Sequence, residues 1–227
     1  MALSTNNTVK DITPDEWRAA QFGEANFWAQ FLRDNGPTCE DNFLKLVLMP
    51  YFEITPDMDF SNEVLVDIGG GPIGILTQLK AKRKIVVDPL SIPTKDESIE
   101  RLTDMGEEIS LPDEIANKVF LCNVLQHVMS PEKVMKECWR ILKTGGTFFI
   151  LEQINDQTKD YIMHPHYLTQ EFFQDMFFYF NSVTGIKWIV DEHCAMMYPH
   201  HQPESKCDII CIIVKKGFIY GNDSQVN

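Results

Sequence analysis

The stretch Val64-Leu65-Val66-Asp67-Ile68-Gly69-Gly70-Gly71-Pro72-Ile73-Gly74 decides the fold. Its first half, from Glu63 to Ile68, is a short apolar run rich in β-branched residues, as expected of a strand buried on both faces. Its second half is Gly-x-Gly-x-x-Gly, in which the glycines let the backbone turn tightly and pass close to a ligand. The reading places a helix directly after the loop, with Pro72 in its first turn and its N-terminus behind the ligand. Asp88 closes the next strand, about 20 residues on, where an acid can accept hydrogen bonds from both ribose hydroxyls. That pairing serves dinucleotides and adenosyl ligands alike. Two features favour the adenosyl ligand. Asp67, two positions before the first glycine, would set a negative group beside an ammonium, not beside a pyrophosphate. The chain also lacks the Tyr-x-x-x-Lys pair expected of a one-domain nicotinamide reductase.

On either side of this stretch the chain alternates between strand and helix patterns. Thr13-Pro14-Asp15-Glu16 is a helix start, with a capping hydroxyl, a proline in the first turn and acids at the positive dipole end. That helix carries Trp17, Phe22, Phe27, Trp28 and Phe31 to near Gly36-Pro37, with Gln21-Phe22-Gly23-Glu24 read as an interruption. A second helical stretch runs from Thr38 to Tyr51. Lys84–Val87 reads as a strand, Thr94–Met105 as a helix and Lys118–Cys122 as a strand. Ser130-Pro131-Glu132 caps a helix to Leu142, and Gly145-Gly146 breaks the chain before the strand Thr147–Leu151. Thr169–Phe180 is the last helix, with Phe172, Phe173, Phe177 and Phe178 read as core. Strands at about 186–196 and 208–214 follow without a helix between them, so they pair antiparallel. The expectation is an α/β fold: a Rossmann-like doubly wound sheet, mostly parallel, with an antiparallel C-terminal edge pair and an N-terminal helical cap. Residues 1–60 form the cap or lid, 61–217 the core and 218–227 a mobile tail.

Composition bounds the function. The chain has 227 residues, fewer than the about 250 at which single cores divide. With 33 Asp+Glu against 20 Lys+Arg it carries a net charge of −13, which argues against gripping phosphate backbones. The basic run Lys80, Lys82, Arg83 and Lys84 reads as a solvated helix end at the far end of the second strand from the site. No basic, apolar secretory leader opens the sequence, and no apolar run approaches the roughly 18 residues of a membrane span. The six cysteines form no Cys-x-x-Cys pair and read as buried thiols in a reducing compartment, so a cytoplasmic location is expected. His193, Cys194, His200, His201 and Cys207 cluster in sequence, but their spacing fits no common zinc pattern, and no metal is expected.

Taken together, the motifs resemble the class I S-adenosylmethionine-dependent methyltransferases. Residues 64–74 resemble that family's first motif, and Ile85-Val86-Val87-Asp88-Pro89-Leu90 its second. Gly106-Glu107-Glu108-Ile109-Ser110-Leu111-Pro112 occupies the place of its adenine-contacting segment. Phe120–Val128 resembles the end of its fourth strand, and Glu137–Gly146 the helix and Gly-Gly turn before the fifth. The resemblance covers about residues 62–155.

It implies S-adenosyl-L-methionine as cofactor and S-adenosyl-L-homocysteine as product. Gly69, Gly70 and Gly71 would pass under the methionine part, with Asp67 near its amino group, and Asp88 would hold the ribose. Pro89 and Leu90 would pack along the adenine, Glu107 and Glu108 compete for its amine, and Ile109 lies in the same segment. Asn123 and Val124 would meet the methionine end through their backbone. Gly70 stands where the family often has a larger residue or cysteine. A hydroxyl acceptor would also need a base, and the candidates beyond strands four and five are His127, Glu152, His164 and His166. His164-Pro165-His166 is the first choice for substrate contact, with Tyr167 adjacent, while His127 has a structural reading as well. Trp17, Phe22 and Trp28 either pack on a core or close over the substrate as a lid. The acceptor expected is a small molecule, methylated on oxygen or nitrogen, with no nucleic acid or membrane as partner and a monomer or homodimer as the assembly. Two alternatives stand beside it. One is RNA or protein methylation with a partner, against which Asn123-Val124-Leu125-Gln126 replaces the Asn/Asp-Pro-Pro-Tyr/Phe tetrad of base-amino methylases. The other is a catalytically silent cofactor-binding subunit.

Overall fold

The computed structural model describes residues 9–35, 47–72, 74–77, 79–90, 96–155, 162–180, 182–191 and 208–217. Helix α1 spans Pro14–Asn35. The Thr13 N–H and hydroxyl donate to the Glu16 carboxylate while the Glu16 N–H donates to the Thr13 hydroxyl, so the start is a reciprocal capping box. A short α2 covers Met49–Phe52. Then come β1 (Asp59–Ile68), β2 (Lys80–Val87), β3 (Ile99–Leu102), β4 (Ala116–Cys122), a 3-10 turn (Leu125–His127), α3 (Pro131–Ile141), β5 (Leu142–Ile154), α4 (Gln170–Tyr179), β6 (Val183–Asp191) and β7 (Asp208–Lys216).

The seven strands form one sheet in the order β3-β2-β1-β4-β5-β7-β6. β1 to β5 run parallel, and β7 lies antiparallel between β5 and β6. This is the expected mixed, Rossmann-like sheet with its antiparallel edge pair.

Alternation along each strand feeds two cores. On one face Val66, Ile68, Val119, Leu121, Phe148 and Ile150 pack against Val134, Met135 and Cys138 of α3 and Phe172, Phe173 and Met176 of α4. On the other, Leu65, Val86, Phe120 and Phe149 meet Leu48, Phe52, Ile75 and Leu76. Phe120 and Phe149 stack at 4.9 Å in the middle of this second layer. A fully buried Phe stabilises by about 1.5–3 kcal/mol, so this pair anchors that face.

Several expectations need correcting. No helix follows the glycine loop among the described residues: Gly74 sits at φ +54 and the Ile75 N–H is taken by the Asp67 carboxylate. A left-handed residue and a side-chain acceptor replace the helical bonds there. The expected helix at 94–105 is β3 over its described middle, because Ile99 to Leu102 pair with Lys84 to Val87. Gly145-Gly146 does not end an element. β5 runs through it with a bulge, since Ala116 pairs Leu142 but Lys118 already pairs Thr147. The basic run is a strand and not a helix end, with Arg83 paired to Glu100 and Lys84 to Asp96. Gly23 does not interrupt α1; it admits Met163, whose Cγ would stand 2.6 Å from an added Cβ. Phe178 is 78% exposed, so only Phe172, Phe173 and Phe177 of the α4 set are core. Residues 38–46, 192–196 and 218–227, with the His193–Cys207 group, lie outside the described residues. Among the described residues no helix is long and apolar enough to cross a membrane.

Candidate active site

The carboxyl ends of β1, β2 and β4 open on one cavity, because each chain turns sharply away as its strand ends. The Gly69 N–H donates to Val87 O at 2.7 Å, and Gly69 is left-handed at φ +67. A Cβ there would stand 2.5 Å from Val124 Cγ2, so the loop and the 3-10 turn meet only because residue 69 is glycine. Asn123, at φ 58, makes the matching turn after β4, with its N–H donating to Leu151 O. That turn aims the Val124 and Leu125 N–H groups at the buried Glu152 carboxylate, at 2.8 and 3.1 Å. Arg101 on β3 donates to Gly71 O at 3.0 Å and holds the far end of the glycine loop.

Asp67 and Asp88 form the floor. Asp67 is 1% exposed and its Oδ2 accepts from Ile75 N–H at 3.2 Å. Asp88 accepts from Gly71 N–H and Leu90 N–H, both at 2.8 Å. A carboxylate offers about four acceptor positions, so the Asp88 oxygens can still take two hydroxyls. Burial pushes the Asp67 carboxyl up to about 7, with the Asp88 charge adding to the effect. Burial raises Asp88 as well, against the two backbone N–H groups and Arg101.

α1 forms the roof through Trp17, Gln21, Glu24, Phe27 and Trp28. Gln21 donates to His127 O at 3.1 Å, and the Trp28 ring lies 3.5 Å from where a Gly71 Cβ would stand. Glu24, unforeseen in the sequence, is held 3.2 Å from His127 Nδ1 with its side chain only 13% exposed. Burial, with the Asp88 charge, raises its carboxyl to about 7, opposed by a bond from Trp28. His164 stacks edge-on against His127 at 4.6 Å, so one carboxylate and two imidazoles converge within 4.8 Å.

Of the expected cofactor residues, Asp67, Gly69, Gly70, Asp88, Pro89, Leu90, Glu107, Asn123 and Val124 line the cavity. Gly71 backs it through Asp88 and Trp28. Glu108 and Ile109 do not line it. Ile109 is buried, with its N–H on Glu137. Glu107 lines the wall while its Oε1 accepts from the Met129 and Ser130 N–H groups beside α3. Among the base candidates, His127 and His164 reach the cavity. His166 does not: it is 2% exposed and its Nε2 lies 2.6 Å from Val128 O. Glu152 is spent on the turn after β4, Tyr167 is 49% exposed away from the cavity, and Phe22 is 71% exposed on the outer face of α1. Trp17 and Trp28 do face inward. Sequence reasoning also missed Gln21 and Gln126. Trp17, Gln21, Glu24 and Trp28 fall at i, i+4, i+7 and i+11, one helical stripe, and that spacing was the available signal.

The donor set describes its ligand. Four carboxylates, Glu24, Asp67, Asp88 and Glu107, line the cavity, and no Lys or Arg does among the described residues. Such a site rejects phosphates, and its floor of Asp67 and Asp88 fits the ammonium and the ribose diol of S-adenosylmethionine.

Residues 54–150 match the model of a methyltransferase domain. No curated protein matches the chain by sequence. Solved structures share the fold at low identity. A Thermotoga maritima S-adenosylmethionine-dependent methyltransferase, described as a possible histamine N-methyltransferase, is 18% identical with a TM-score of 0.60, over 88% of this chain and 99% of that one. The methyltransferase partner in the Haloferax volcanii Trm112 activator complex is 16% identical with a TM-score of 0.62, over 86% and 97%. A Haemonchus contortus phosphoethanolamine N-methyltransferase, solved with phosphomonomethylethanolamine and S-adenosylhomocysteine, is 13% identical with a TM-score of 0.57, over 83% and 59%. The matched domain, the sheet order and the carboxylate-lined cavity agree: the chain carries a methyltransferase domain over residues 54–150 and shares the fold of S-adenosylmethionine-dependent methyltransferases.

Proposed function

We propose that the protein methylates a small-molecule acceptor, on nitrogen or oxygen, held between the glycine loop and α1. The observation that carries this reading is the roof: α1 reaches the 3-10 turn through Gln21 and Glu24 and leaves a cavity walled by Trp17, Phe27 and Trp28. A helix in that position covers the methyl-transfer end and suits a small acceptor better than a folded macromolecule. In this reading residues 1–60 act as the cap, 61–217 as the core, and the protein works in the cytoplasm.

S-adenosylmethionine, when bound, supplies a methyl group on a positively charged sulfur, an electrophile already activated. The chain's own residues then bind and position. Asp67 takes the ammonium, Asp88 the ribose hydroxyls, Pro89 and Leu90 the adenine faces, and Glu107 the adenine rim. Gly69, Gly70 and Gly71 let the backbone pass beneath the methionine part, and Asn123 and Val124 close its end. His127 and His164 stand where an acceptor would meet the methyl group.

A macromolecular acceptor with an activating partner is the second reading, since a neighbour of this fold occurs with an activator protein. The acidic cavity weighs against nucleic acid. A labelled-methyl assay on a fractionated cell extract decides between them. Label in the metabolite fraction supports the proposal, and label confined to protein or RNA overturns it. Binding of S-adenosylhomocysteine without any turnover would make the protein a silent cofactor-binding subunit.

A further inference from the structure

Four residues of the roof are given no cofactor group in the reading above. Glu24 faces the cavity from α1, and Trp17, Phe27 and Trp28 stand around it. His127 fixes the orientation of Glu24. The Gln126 amide nitrogen, a donor only, lies 3.3 Å from His127 Nε2 and donates its other hydrogen to Asn123 Oδ1 at 2.8 Å. Nε2 therefore accepts, and the ring proton sits on Nδ1, shared between Met163 O at 3.1 Å and the Glu24 carboxylate at 3.2 Å. With both nitrogens engaged, neutral His127 orients Glu24. The Trp28 side chain bonds the same carboxylate.

Charge then identifies the acceptor. Asp67 and Asp88 answer the ammonium and ribose of the cofactor from the floor. Glu24 stands in the opposite wall, a further negative group in a cavity that no Lys or Arg lines among the described residues. An alcohol or thiol leaves that charge uncompensated, and a phosphate or carboxylate acceptor is repelled by it. An ammonium group neutralises it, and the faces of Trp and Phe attract ammonium independently.

Resting on the small-molecule reading above, we infer that the acceptor is a primary or secondary amine, bound as its ammonium form, and that Glu24 is the catalytic residue that takes its proton, positioned by His127. The ammonium N–H bond breaks toward the Glu24 carboxylate and leaves the electron pair on nitrogen. That pair forms the new N–C bond to the methyl group as the C–S bond breaks. Both C–S electrons stay on sulfur, which becomes a neutral thioether, and the positive charge moves to the methylated nitrogen. Glu24 then releases its proton to solvent past His164. Activity rises with pH as Glu24 ionises. Asp88, His127 and His164 face Glu24, with Asp67 and Glu107 across the cavity, and together they shape that limb.

The test uses the full chain saturated with S-adenosylhomocysteine and titrated calorimetrically with benzylamine and with benzyl alcohol at pH 8. Benzylamine is expected to bind at least tenfold more tightly. Glu24→Gln should abolish that preference while leaving S-adenosylhomocysteine affinity within about twofold, and Glu24→Asp should keep it. Equal affinity for the two probes, or a preference that survives in Glu24→Gln, overturns the inference. Products from the labelled extract give a second arm. Methyl groups on amine nitrogen support it, and small-molecule products methylated only on oxygen or sulfur overturn it while the function above stands. Label confined to macromolecules overturns that function instead, and the binding arm still judges Glu24.

Discussion

Glu152 is a base candidate by its place near the carboxyl end of β5, and two substitutions separate that role from the one its hydrogen bonds describe. Its carboxylate, 1% exposed, accepts from the Val124 and Leu125 N–H groups at 2.8 and 3.1 Å and so holds the left-handed turn at Asn123. Hydrogen bonds to a charged group contribute about 1.5–3 kcal/mol each, and Glu152→Ala leaves both N–H groups buried and unmet. The expected loss is therefore about 3–6 kcal/mol, a large part of the about 5–15 kcal/mol by which domains are stable. With a urea slope of about 3 kcal/mol per molar, the midpoint falls by about 1–2 M. Glu152→Gln keeps a carbonyl acceptor but loses the charge, roughly half of each bond, and its midpoint should fall by about 0.5–1 M. Equilibrium urea unfolding checks the stability, and turnover with labelled methyl donor checks the chemistry. A positioning role predicts that Glu152→Gln keeps kcat within about tenfold, whereas removing a general base costs about 10²–10⁴. An unchanged midpoint with kcat reduced at least a hundredfold would refute the reasoning.

Gly70→Ala should weaken S-adenosylhomocysteine binding at least tenfold, because the added Cβ overlaps the Asp67 carboxylate and stands 3.0 Å from Val86 Cγ1; calorimetry showing unchanged affinity would contradict this. Burial lifts the Asp67 carboxyl to about 7, so between pH 4 and 7 the folded protein holds a proton that the unfolded chain has lost. Stability from this group therefore falls as pH rises through that window, and Asp67→Asn, which keeps an acceptor for Ile75, should gain on the wild type from pH 5 to pH 8 in thermal melts. A constant difference across that range would rule this out. Arg140 binds Glu137, Asp113, Leu111 O and Ile109 O, so Arg140→Ala should cost about 2–3 kcal/mol and expose the 109–113 segment to faster amide exchange; unaltered exchange there would count against it.

The strands were legible because burial on both faces leaves a mark no surface element imitates: Val64 to Ile68, Lys118 to Cys122 and Asp208 to Val214 are each dense in β-branched or aromatic residues. The capping signals at Thr13 and Ser130 likewise placed two helix starts, because those signals are local. The failures were at places decided at a distance. The segment at Ile99–Leu102 has no strong strand pattern and extends because β2 offers it an edge. The residues after Gly71 lose their helix to a carboxylate eight positions from Ile75. In the site, the floor was readable because Asp67, the glycines and Asp88 follow one another at a spacing set by one turn and one strand. The roof was not, since no local signal says which turn α1 covers. His166 and Glu152 lie near the right strands and point at Val128 and the Asn123 turn, a direction that spacing alone does not encode.

The two ends of the sheet bear on solubility and self-association. An unprotected edge strand recruits other chains, and each edge here is blunted differently. β3 is four residues long and places the charged pair Glu100 and Arg101 at its centre. β6 is longer, but its ladder slips between Val183 and Gly185, and Lys187 leans across to Glu53. A second copy therefore meets no straight, apolar row of unpaired amides on which to extend the sheet, and fibrous stacking or a dimer built by continuing it is disfavoured at both ends.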